Sequence, residues 1–176
     1  MKIILPPDFF QLLHNKHLLL DTSFFGDYSS YPEDFGKFVN SCKKHGITFV
    51  TNVAVVTEFS RGSDTTQIYA QKTALVETII DFVLPITPQV FLEEIPWLTE
   101  KYGQMGKVVS LTDFILAAQT KQHTADLCLL TKNPKDFPTS IFSVKTHLLL
   151  ELERGLQVYG VYYYKKRQPQ AITAPF

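Results

Sequence analysis

Three short apolar runs, each closed by polar side chains, constrain this chain more than any other feature. They are "HLLLDT" from His17, "ITFVTN" from Ile47 and "LCLLTKN" from Leu127. Runs this short, bounded by polar residues, read as strands inside a sheet. Segments with helical signals lie between them. "YPEDFGKFVNSCKKHG" has Pro32 at its start and Gly46 past a Lys-rich end, the usual helix asymmetry. "NVAVVTEFSRG" has Asn52 as an N-cap and Gly62 as a stop. Ile68, Leu75, Ile79 and Phe82 recur at helical spacing. "PQVFLEEIPWLTEKYG" reads as a helix that Pro96 bends or splits, and "SLTDFILAAQTKQH" as a buried one, apolar nearly all round. A further short strand is expected at Leu84–Thr87. "SIFSVKTHLLLELERG" and "LQVYGVYYYKK" are harder to assign; the second alternates and is Tyr-rich, which favours a strand. Strands alternating with helices predict an α/β fold with a mainly parallel sheet, its site beyond the carboxyl ends of the strands.

The chain has 176 residues, 45% of them apolar and 19% charged, enough for one domain with a real core and a small appendage. We expect a helical N-terminal extension over 1–16, the main domain over 17–155, and a Tyr-rich strand and tail over 156–176. Net charge is zero, so any nucleic-acid role rests on a local patch. One such patch is Arg154, Lys165, Lys166 and Arg167, with no acid from Arg154 onward. Tyr162, Tyr163 and Tyr164 adjoin it, where aromatics can stack bases and cations meet phosphate. An edge strand with terminal lysines that block further pairing explains the same residues. Cys42 and Cys128 have no CxxC spacing and read as reduced thiols. "MKIILPPDFF" is too short in its apolar part for a secretory leader, and no run is long enough to span a bilayer, so a cytoplasmic protein is expected.

Four acids stand at comparable places: Asp21, Glu58, Asp113 and Asp136. Each has an ordinary explanation. Asp21 can cap the turn or helix after its strand, and Glu58 can pair with Arg61 three residues on. Ser110-Leu-Thr-Asp113 fits a capping box, and Asp136 in "KNPKDFP" suits an Asx-turn. Taken together they say more. A parallel sheet would gather these carboxylates on one edge, where they repel unless a cation holds them. An oxygen-only set suits Mg²⁺ or Mn²⁺, which can activate water and stabilise charge on a phosphodiester.

"LLLDTSF", "VTEFSRG", "LTDFILAAQ" and "LLTKNPKDF" occur in that order over His17–Phe137. This set resembles PIN-domain proteins, and most of all the VapC-type toxins. The resemblance implies a PIN-like three-layer α/β/α sandwich and a metal-dependent endoribonuclease. It implies that Asp21, Glu58, Asp113 and Asp136 are catalytic, with Asp21, Asp113 and Asp136 on the metal. The fourth family acid stands at the place of either Asn133 or Asp136. This chain has an amide at the first, so Asp136 is favoured, with Asn133 as a neutral neighbour. Thr22, Ser23 and Thr131 are expected to supply orienting hydroxyls. Arg61 is placed to pair with Glu58 or approach a phosphate. Lys132, Lys165, Lys166 and Arg167 are candidate contacts to RNA or a partner. The implied partners are an RNA substrate, a small antitoxin protein and a second copy of the chain.

Rival chemistries fare worse. His14, His17, His45, His123 and His147 form neither HExxH nor a Cys/His ligand spacing. There is no GxGxxG, no P-loop and no GxSxG. Phosphatases of the haloacid-dehalogenase type need a second Asp two positions after the first, and Ser23 stands there. Two alternatives to a toxin remain: a PIN-type nuclease of RNA processing or decay, and a catalytically silent scaffold that binds RNA or protein, for which Asn133 is the best support.

Overall fold

The computed structural model describes residues 1–153 and 155–165. In chain order the elements are β1 (Lys2–Ile4), α1 (Phe9–Leu13), β2 (His17–Leu20), α2 (Thr22–Ser30), α3 (Pro32–Lys44) and β3 (Thr48–Thr51). Then come α4 (Val53–Ser60), α5 (Thr66–Ile79), β4 (Phe82–Val83), α6 (Ile95–Gln104) and α7 (Leu111–Gln122). β5 (Leu127–Thr131), β6 (Phe142–Leu152) and β7 (Gly155–Tyr164) complete the fold. The seven strands form one sheet in the order β1-β6-β7-β5-β2-β3-β4.

Leu18, Leu19 and Leu20 are all fully buried. Successive strand side chains point to opposite faces, so helices must cover β2 on both sides. β5 is likewise buried at every position. That two-sided burial is why these strands read as unbroken apolar runs.

The sheet is mixed rather than mainly parallel. β2 runs parallel to β3 and β5, and β3 to β4. β1 on β6, β6 on β7 and β7 on β5 are antiparallel. A tight connection between β6 and β7 forces a hairpin, because parallel neighbours need a long crossover. β7 then docks on β5, and β1 closes the outer edge of β6. The N-terminal segment expected to be helical therefore contributes a strand as well as α1.

Two other expectations shift. The strand placed at Leu84–Thr87 lies earlier, at Phe82–Val83. Leu84 still donates its N–H to Thr51 O at 2.7 Å, but Pro85 has no N–H with which to continue the ladder. The segment around Pro96 does split: a π-helical turn over Val90–Glu94 precedes α6, where Pro96 sits in the first turn. Gly46 and Gly62 follow α3 and α4 with φ of 73° and 77°, a region that glycine enters without a Cβ clash.

One buried side chain ties the helices around the sheet edge. Asn52 accepts the N–H of Val55 at the start of α4 and donates to Gln119 Oε1 of α7 at 2.8 Å. Gln119 in turn donates to Pro85 O at 3.1 Å. The helices that carry Glu58 and Asp113 are thus fixed to each other and to the end of β3. Among the described residues, no helix is long and apolar enough to cross a membrane.

Candidate active site

From β2 the chain crosses through α2 and α3 to β3 on one side, and later returns to β5 on the other. The carboxyl ends of β2 and β5 therefore flank a point where connections diverge, the usual place for a crevice in such sheets. Asp21 lies there, 8% exposed. It occupies the N-cap position of α2 but makes no side-chain cap hydrogen bond. Its carboxylate faces across the crevice instead. Thr131 at the end of β5, fully buried, donates to Asp21 Oδ2 at 2.6 Å, and Ser23 donates to the same oxygen at 3.0 Å. Thr131 Oγ1 also accepts the N–H of Asn133 at 3.0 Å, so one hydroxyl fixes both strand ends.

The other acids converge unequally. Glu58, exposed on α4, does not pair with Arg61; it accepts the hydroxyl of Thr22 at 2.6 Å. Arg61 is exposed just past the end of α4. Asp113 does form the capping box: Ser110 Oγ donates to Asp113 Oδ2 at 2.7 Å and accepts the Asp113 N–H at 3.1 Å. The box takes only Oδ2. Asp21, Glu58 and Asp113, with Thr22, Ser23, Lys132 and Asn133, line one open pocket of about 460 Å³. Asp136 is not in that lining. It stands behind Asn133, whose side-chain amide donates to Asp136 Oδ2.

The pocket is short of positive charge. Burial raises the Asp113 carboxyl above its ordinary range, the Ser110 hydrogen bonds oppose this, and the charges of Asp136 and Asp21 raise it further. Lys132 is the one cation lining the pocket among the described residues, and it is already paired. Its ammonium lies 2.9 Å from each oxygen of Asp27, and Tyr159 donates to Asp27 at 2.7 Å. Burial, then the Asp27 contact, pushes the Tyr159 hydroxyl well above its usual range.

Several contributors carry no local signal. Asp27 sits one turn beyond Ser23 inside an ordinary helix, and Tyr159 looks like any strand tyrosine; their pairing spans 132 residues. Tyr102, on α6, donates to the backbone oxygen of Asp136 at 2.7 Å, and Lys107 to that of Lys135 at 2.6 Å. Together they clamp the 3₁₀ turn Pro134–Asp136. Lys165 is exposed, with its ammonium on Thr139 O, at a separate cavity. Arg154, Lys166 and Arg167 lie outside the described residues.

The donor chemistry fits a hard divalent cation in a limited way. All ligand candidates are oxygens. Among the described residues, one oxygen each of Asp21, Glu58 and Asp113 takes a hydroxyl, and the other has no hydrogen-bond donor. No three His, Cys, Asp or Glu side chains among the described residues converge as a ready ligand set. A magnesium-sized ion needs only one or two protein carboxylates, the rest of its shell being water.

Asp113 also makes a stability prediction. Its folded-state pKa is raised, so between the ordinary Asp range and that raised value the native protein binds more protons than the unfolded chain. Stability from this group therefore falls as pH rises through the window. Asp113→Asn, which keeps an oxygen for the Ser110 contacts, is expected to raise the melting temperature at pH 7. The gain should vanish below the ordinary Asp range. Thermal melts of both proteins from pH 3 to 8 check this; equal melting temperatures at pH 7 would contradict it.

No family model matches this chain. No curated protein matches it either. Among solved structures, a chain in the crystal structure of VapBC2 from Rickettsia felis bound to a DNA fragment from their promoter is similar, with a TM-score of 0.56. The match is 16% identical and covers 68% of this chain and 89% of that one. At that identity the likeness shows a shared α/β fold and nothing further.

Proposed function

We propose that this protein is a PIN-type, metal-dependent endoribonuclease, the toxin of a toxin–antitoxin pair. The observation that carries the reading is Asp21 at the divergence of β2 and β5, oriented by Thr131 and Ser23, with Glu58 and Asp113 on the same pocket. The motif resemblance and the fold shared with a chain of a VapBC2 complex support it. A bound Mg²⁺ or Mn²⁺ would supply an activated water and stabilise charge on the phosphodiester. The chain's own residues do the rest. Asp21 and Asp113 each present a free oxygen to the ion, and Asn133 or Asp136 completes its surroundings. Glu58, whose carboxylate accepts the Thr22 hydroxyl, would orient the attacking water. In this reading a small antitoxin protein covers the pocket, and a second copy of the chain can pair with the first.

The Asn133 amide in the pocket wall, where some members of the family carry an acid, favours one alternative, a silent PIN scaffold that binds RNA or protein. A single experiment separates them. Single-stranded RNA should be cut with added Mn²⁺ and left intact in excess chelator, and the melting temperature should rise with metal concentration. Cleavage that persists in chelator would remove the metal mechanism. Neither cleavage nor metal-dependent stabilisation would leave the scaffold.

A further inference from the structure

A second cavity, of about 340 Å³, opens between α6 and the segment that leads into β6. Trp97 and Tyr164 form its aromatic side, Lys101 and Lys165 its charged side, and Ser140 and Ile141 part of its floor. The two rings are in place before any ligand arrives. Their centroids are 6.4 Å apart in an edge-to-face arrangement. The Lys121 ammonium lies 4.9 Å from the Trp97 ring centre and 5.8 Å from that of Tyr164. Lys121 is itself held by an ion pair with the buried carboxylate of Glu94. Lys101 reaches Glu100 at 3.2 Å on the exposed rim, and the Lys165 ammonium rests on Thr139 O, so a phosphate would have to compete for both. Fixed aromatic rings beside cations are what stacking sites for unpaired bases combine.

The cavity is coupled to the acidic pocket by one stretch of chain. Asn133 lines the pocket, and Ser140 and Ile141 line the cavity. Seven residues reach no further than roughly 25 Å even when extended. Tyr102 of α6 pins the middle of this stretch through Asp136 O, and Ser140 Oγ contacts Met105 Sδ at 3.1 Å. The recess therefore lies within roughly 25 Å of the acidic pocket, a span that a few nucleotides of single strand can bridge.

We propose that the Trp97–Tyr164 cavity is a binding subsite for an unpaired nucleobase of single-stranded RNA, with Lys101 and Lys165 meeting the flanking phosphates. The proposal rests on the ribonuclease reading for its ligand. The chain builds the subsite from the Tyr-rich end of β7, whose aromatics and cations the acidic site leaves unused.

Trp97 is the only tryptophan, so its fluorescence reports this cavity directly. The full-length Asp21→Asn protein, without divalent metal, is titrated with a short single-stranded oligoribonucleotide. Saturable quenching is expected. Tyr164→Leu should weaken binding about tenfold, the loss of roughly one stacked base. Tyr164 also packs on Phe142, so Lys101→Glu serves as a second variant that leaves the rings alone. It should weaken binding and make it less sensitive to salt. A duplex of the same sequence should quench far less. No quenching, equal quenching by the duplex, or unchanged affinity in both variants would overturn the subsite. These outcomes are separable from the nuclease reading. Metal-dependent cleavage lost in Asp21→Asn, with no Trp97 response, would remove the subsite alone. Quenching by single strands with no cleavage in any metal would keep the subsite and remove the nuclease.

Discussion

Asp21→Asn is expected to lower metal-stimulated RNA cleavage by at least about a hundredfold while leaving the fold intact. Even supporting partners of metal ligands cost about 10- to 100-fold when removed, and under the proposed mechanism Asp21 would be a ligand itself, whose loss should cost no less. The substitution keeps shape and volume. Thr131 and Ser23 both donate to one oxygen of Asp21, and an amide oxygen can accept the same two hydrogen bonds. Holding that oxygen toward the hydroxyls turns the amide NH₂ to the other position, where it can neither ligate a cation nor balance its charge. Chemistry is lost, therefore, with little local rearrangement. Cleavage time courses in Mn²⁺ together with far-UV dichroism and a thermal melt check it. Full activity in this variant would dismiss Asp21 from the reaction. Lost activity with a collapsed melting temperature would show a structural role instead.

Much of this site was legible because its parts are local. The strand ending at Asp21, the N-cap at Asn52, the stops at Gly46 and Gly62 and the capping box at Ser110 each depend on residues within a few positions. All of them stand in the structure where their local sequence signals put them. Two of the ordinary explanations fail in three dimensions. Asp21 does not cap α2, and Glu58 does not pair with Arg61, because hydroxyls from neighbouring segments take both carboxylates. The Asp113 explanation holds, and it is compatible with a site because the capping box engages only one carboxylate oxygen.

The rest depended on long-range placement. The β6–β7 hairpin turned a mainly parallel expectation into a mixed sheet; β6 carries Ser143, Lys145, Thr146, His147 and Glu151 among its apolar residues, with a register shift near Val144. Phe142, Val144, Leu148, Leu150 and Leu152 stand at alternate positions, with breaks at Thr146 and Leu149, but such alternation does not fix which neighbour a strand pairs with or in which direction. The Lys132–Asp27–Tyr159 cluster joins three elements far apart in sequence. It also changes the meaning of Lys132, from a candidate contact to RNA into a cation already paired inside the protein. The choice between Asn133 and Asp136 also depended on geometry, which puts the amide on the pocket and the acid behind it.

The largest loss of stability is expected from Phe24→Ala, one turn into the helix that follows Asp21. Phe24 is fully buried, and its ring lies within contact range of Phe25, Tyr28, Phe35, Phe38, Phe49 and Tyr159. These come from α2, α3, β3 and β7, so no single element can move to fill the gap. Removing such a ring costs about 3–5 kcal/mol, through lost transfer energy and an unfilled cavity. For a chain of this size that is roughly a 6–20 °C fall in melting temperature. Phe24 also donates its backbone N–H to Asp21 O at 3.0 Å, so settling of α2 into the cavity would disturb the carboxylate before the protein unfolds. Cleavage should consequently fall in Phe24→Ala even well below its melting point. Val108→Ala, at a position 96% exposed, is the contrasting case and should change stability by no more than about 0.5 kcal/mol. Urea unfolding of the three proteins measures both effects: the midpoint should drop for Phe24→Ala with an unchanged slope. A loss below about 1 kcal/mol would mean that the neighbouring rings close the gap by repacking. In that case Asp21 would be held in place by the Thr131 and Ser23 hydrogen bonds, without support from the packing of Phe24.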